Sequence, residues 1–97
     1  MVKGTTSTGF VFEYDETRLD DMRFVDILAV VADDAAPLFD KVRSVSRLVD
    51  MLLGAELKAA LYEHIGGLHG GRVPREDLEN ALGEIMAAAG KDAEKNS

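Results

Sequence analysis

The sequence predicts a mainly α-helical fold: a small bundle of about four helices with a short N-terminal β-strand or hairpin. Three patterns carry that expectation. Leu38, Val42, Val45, Leu48, Val49 and Leu52 fall on one face of a helix, while Asp40, Lys41, Arg43, Ser44, Ser46, Arg47 and Asp50 lie between them. Gly54 then interrupts the pattern, which restarts at Leu57, Leu61 and Tyr62, so a helix, a tight corner and a shorter helix are expected. Phe10, Phe12 and Tyr14 alternate with Val11 and Glu13, the period of an extended strand with one aromatic face. At 97 residues the chain has the size of one domain with one core.

In chain order, residues 1–8 offer little to bury and are expected to be flexible, followed by a single helical domain over 9–90 and a polar tail over 91–97. The strand at Phe10–Tyr14 cannot satisfy its own backbone groups. Three arrangements are open: a hairpin with the preceding TTSTG segment, pairing with its copy in a second subunit, or an aromatic flap lying on the helices.

Asp15–Asp20 reads as a turn, with Asp20 as N-cap of a first helix over about Asp21–Asp33. That helix is apolar nearly all round. Met22, Val25, Leu28, Ala29 and Ala32 make one face, and Phe24, Ile27 and Val31 a second, which is expected to serve an interface. Pro37 ends the link that follows. Phe39 and Met51 lie off the stripe of the long helix, which makes them candidates for a second contact surface.

The four glycines of Gly66–Arg72 are expected to form a flexible connector; no strand precedes them and the Lys-Ser/Thr ending of a phosphate-cradling loop is missing. Pro74 suits the first turn of the last helix, with Glu76, Asp77 and Glu79 near its positive end. Leu78, Ala81, Leu82, Ile85, Met86 and Ala89 form its apolar face, Val73 packs back on Leu78, and Gly90 is expected to stop it.

Charge and chemistry narrow the function. The formal charge is −7, concentrated in residues 1–40, where nine acidic side chains face three basic ones. Such a balance disfavours phosphate backbones and anionic lipid surfaces, so neither nucleic acid nor membrane is expected as a partner. The chain has no cysteine, which removes disulfides, thiolate nucleophiles and sulfur-ligated metal. No segment approaches the length of a membrane span or the apolar run of a signal peptide, and a cytoplasmic, soluble protein is expected. His64 and His69, with Glu63 nearby, lack helical metal-ligand spacing. No catalytic set, cofactor or metal is expected; the surface expected to serve self-association or a partner comprises Phe12, Phe24, Ile27, Val31, Phe39 and Met51.

The order of parts resembles the small tail assembly chaperones of long-tailed bacteriophages. The resemblance covers residues 9–97 and rests on GFVFEYD, LDDMRFVDIL, SRLVDMLLG, LYEHI, the GRVP start of the last helix, and a polar tail containing Gly90 and Lys91. The GGLHGG segment departs from that pattern. The resemblance implies a non-enzymatic, homo-oligomeric chaperone of the host cytoplasm, absent from the mature virion. It would coat the tape measure protein, keep it soluble and pass it to the major tail protein during tube polymerisation. Members of that family often recruit tail-tube subunits through a C-terminal extension added by a ribosomal frameshift; none is claimed for this chain. Two other classes are compatible with the residues: a small bacterial dimerising adaptor or regulatory domain with no phage role, and a metal-dependent protein using Glu63, His64 and His69.

Overall fold

The chain opens with an antiparallel hairpin whose register pairs Val2 with Tyr14, Lys3 with Glu13, Gly4 with Phe12 and Thr5 with Val11. A computed structural model describes residues 1–95, with side chains through Gly90. The hairpin strands are β1 (Val2–Thr5) and β2 (Val11–Tyr14). A 3₁₀ turn over Glu16–Asp20 leads to α1 (Met22–Ala32), α2 (Leu38–Leu68) and α3 (Arg75–Lys95). The protein is mainly helical, about 70%, with three α-helices among the described residues rather than about four. The corner expected at Gly54 is present: two helical arms meet there, Gly54 holding the non-helical φ 84° and ψ 168°, and the lower number reflects only that both arms are counted together as α2.

Of the three arrangements open to the aromatic strand, the intrachain hairpin is found. Residues 1–8, expected to be flexible, supply β1 and most of the turn. Of TTSTG, Thr5 ends β1 and residues 6–9 form the turn. The Gly9 amide donates to the Thr6 carbonyl at 2.9 Å, the Thr6 amide to the Phe10 carbonyl at 2.9 Å, and Gly9 sits at φ 95°. This is the three-residue loop whose last position favours a left-handed glycine. Alternation then places Val2, Phe12 and Tyr14 on the buried face. Gly4 belongs to the same face, and the Phe12 ring covers it so closely that a Cβ there would lie 2.7 Å from the ring.

Asp15 accepts from the Thr17 amide and starts the 3₁₀ turn, and Asp21, not Asp20, caps α1 by accepting from the Arg23 amide at 2.9 Å. Asp20 is taken into the 3₁₀ turn, which moves the cap one residue on. Pro37 then sits at the N-cap of α2, whose Val45, Leu48, Val49 and Leu52 form the expected buried stripe; the stripe's first member, Leu38, remains 57% exposed.

The bend at Gly54 is held from two sides. The Arg18 guanidinium donates to the Leu52 carbonyl at 2.9 Å, which gives a carbonyl near the end of the first arm a charged donor. The hydroxyls of Ser46 and Tyr62, one on each arm, lie 3.1 Å apart. The second arm runs through Gly66 and Gly67 to Leu68, so half of the expected glycine connector is helical. Gly70 at φ 68° and a 2.7 Å bond from the Gly71 amide back to the Gly66 carbonyl end it in a Schellman turn.

On α3, Leu78, Ala81, Leu82 and Ile85 are buried as their spacing predicts. The helix continues past Gly90 to Lys95, so that glycine does not stop it, and the last two positions of the expected tail lie outside the described residues. One cluster joins the hairpin, Phe24 of α1, both arms of α2 and α3. Tyr14 ties the ends of the chain together within it, its hydroxyl donating to the Ile85 carbonyl at 2.7 Å.

Candidate interaction surface

The six residues expected on a contact surface separate sharply. Phe12 and Phe24 are 3% and 1% exposed and belong to the core. Ile27, Val31 and Met51 are half-buried and pack against it. Phe39 alone stands free, 81% exposed. The expectation for α1 is therefore inverted. At 100° per residue, Phe24, Ile27, Leu28 and Val31 fall on one side, which meets the core, whereas Met22, Val25, Ala29 and Ala32 fall on the other, which is exposed.

The outer stripe of α1 is then the unpartnered apolar face. Met22 is 67% exposed and Val25 41%. A short link over residues 33–37 connects α1 to α2, where Leu38 and Phe39 present two further large apolar side chains side by side. The link is rigidified locally: the Asp33 carboxylate accepts from the Ala35 amide at 2.9 Å and its carbonyl from the Ala36 amide at 3.1 Å. Sequence reasoning missed Met22, Val25 and Leu38 as surface residues. Their signal was present, since a surface helix with two apolar stripes, parted on one side by Arg23 and Asp26, can bury only one of them.

Elsewhere, an open groove of about 880 Å³ lies between the hairpin and the Gly54 corner, lined by Lys3, Thr5, Val11, Glu13, Leu53, Glu56 and Leu57 among others. Val11 on its rim is 70% exposed. The groove mixes apolar walls with one cation and two carboxylates, and among the described residues no buried side-chain polar atom lacks a partner.

The polar groups serve the fold. His64 Nε2 sits 3.2 Å from the Thr8 hydroxyl and 3.1 Å from the Thr8 carbonyl, which ties the hairpin turn to α2. His69 Nε2 lies 2.6 Å from Asp77 Oδ2 and links the end of α2 to the start of α3. Among the described residues no group of three potential metal ligands comes together. The Arg23 side chain, then its amide, holds the Asp21 carboxyl below its ordinary range; the Thr17 amide, then its hydroxyl, does the same for Asp15. Both carboxylates are capping groups, Asp15 exposed and Asp21 half-buried. No helix among the described residues is long and apolar enough to cross a membrane.

No family model, curated protein or solved structure matches the chain.

Proposed function

We propose that the chain is a tail assembly chaperone of the long-tailed phage kind. In this reading it self-associates and binds the tape measure protein in the host cytoplasm, keeps it soluble, and promotes tail tube polymerisation by the major tail protein. The observation that supports this reading is the exposure of four large apolar side chains, Met22 and Val25 on α1 and Leu38 and Phe39 at the start of α2. An amphipathic helical partner can lay its own apolar stripe on such a surface, and many weakly binding copies along a long partner gain affinity by avidity without a deep pocket. The acidic surface, with a formal charge of −7, favours partner segments with basic flanks.

Co-expression with a tape measure protein of a long-tailed phage is the test. The proposal expects the tape measure protein to move from the insoluble to the soluble fraction and to co-purify with several copies of the chain. A tape measure protein that stays insoluble and unbound would overturn it. A stable dimer under the same conditions would then favour the adaptor.

A further inference from the structure

Gly54 holds φ 84° and ψ 168°, a backbone region that is essentially restricted to glycine, at the corner between the two helical arms of α2. Nothing lies within 4 Å of where its Cβ would be, so the bend depends on backbone conformation and not on a close approach at that residue. The flanking segments, VDMLL and AELKAAL, are rich in helix formers. Straightened, α2 would be about 46 Å long at 1.5 Å per residue, longer than the 39 Å greatest extent of the folded molecule. In a straight α2 Ser46 and Tyr62, 16 residues apart, would be separated by about 24 Å, so the two arms cannot close on each other within one chain.

Four of the contacts that close the molecule cross this residue. Tyr14 Oη donates to the Ile85 carbonyl at 2.7 Å and the Ser7 amide to the Glu84 carboxylate at 3.1 Å. The Thr8 hydroxyl meets His64 at 3.2 Å, and Ser46 meets Tyr62 at 3.1 Å. Each has one member before Gly54 and one after it. A second copy opened at the same residue offers the same set of partners with the same geometry.

We infer that Gly54 is the hinge of a reciprocal exchange between two copies of this chain. The segment from Ala55 onward, carrying α3, leaves its own hairpin and closes on that of the second copy, while α2 runs straight across the dimer. A one-residue hinge whose conformation only glycine tolerates is the kind of short connection that favours exchange when it is altered. The inference stands apart from the phage assignment.

Gly54→Ala tests it, because alanine favours the helical conformation over the bend. The chain has no cysteine, so Ser46→Cys and Tyr62→Cys can each be placed in separate Gly54→Ala chains, which are then refolded together and treated with a short bismaleimide. The expected result is a doubled mass by light scattering and a covalent dimer joining the two different chains. A Gly54→Ala monomer, or a dimer that does not cross-link, would overturn the exchange. If Gly54→Ala yields no folded protein, the same two thiols in the otherwise native chain, refolded together at high concentration, decide the matter: a cross-linked dimer supports the exchange and its absence overturns it.

Discussion

Phe24 is 1% exposed and Phe39 is 81% exposed, although each lies on an apolar helix segment. Phe24→Ala should cost about 3–5 kcal/mol, the range for emptying a buried aromatic site, measured by urea unfolding. Phe39→Ala should change stability by less than about 0.5 kcal/mol, as for an ordinary surface position. Ile27 is half-buried against the core, so Ile27→Asp should destabilise the monomer and not merely block an interface, because a carboxylate would lose water without gaining a partner. Asp15 and Asp21 have folded-state pKa values below their unfolded ones. Their contribution is present above the ordinary carboxylate pKa of about 4 and is lost as pH falls through the depressed folded values. The melting temperature should therefore fall below about pH 4, and Asp21→Asn should flatten part of that fall.

At the scale of elements, α2 and α3 could be read from the sequence because each has a single apolar stripe with charge opposite. For α1 the period gives the helix axis but not which side faces inward, since Met22–Val25–Ala29–Ala32 and Phe24–Ile27–Val31 are both apolar. The volume of the side chains decides it: Phe24 and Ile27 fill the core where alanines would leave it empty. β1 was hidden for a related reason. Of its two inward positions only Val2 carries a side chain, and Gly4 is covered by the Phe12 ring from the partner strand. Gly66 and Gly67 read as loop by composition, yet the Gly66 carbonyl accepts from both the His69 and Gly71 amides, and the turn that ends the helix lies after them. Tyr14→Phe removes the donor to the Ile85 carbonyl and should cost about 0.5–1.5 kcal/mol, read from thermal or urea unfolding.

For the whole molecule, one hydrophobic cluster joins residues as distant in sequence as Val2 and Ile85, so the hairpin, α2 and α3 should unfold together. The candidate contact surface was only partly visible in the sequence. The excess of apolar helix surface was evident, but its location was assigned to the wrong side of α1. Covering that surface is what the proposed function asks of a partner, and it leaves the core untouched. The most direct measurement compares the Met22→Asp, Phe39→Asp double variant with the native chain, by thermal unfolding and by retention of the tape measure protein on the immobilised chain. The account predicts an unchanged melting temperature and at least a tenfold loss of retention, the equivalent of about 1.4 kcal/mol. Full retention by the folded double variant would contradict it.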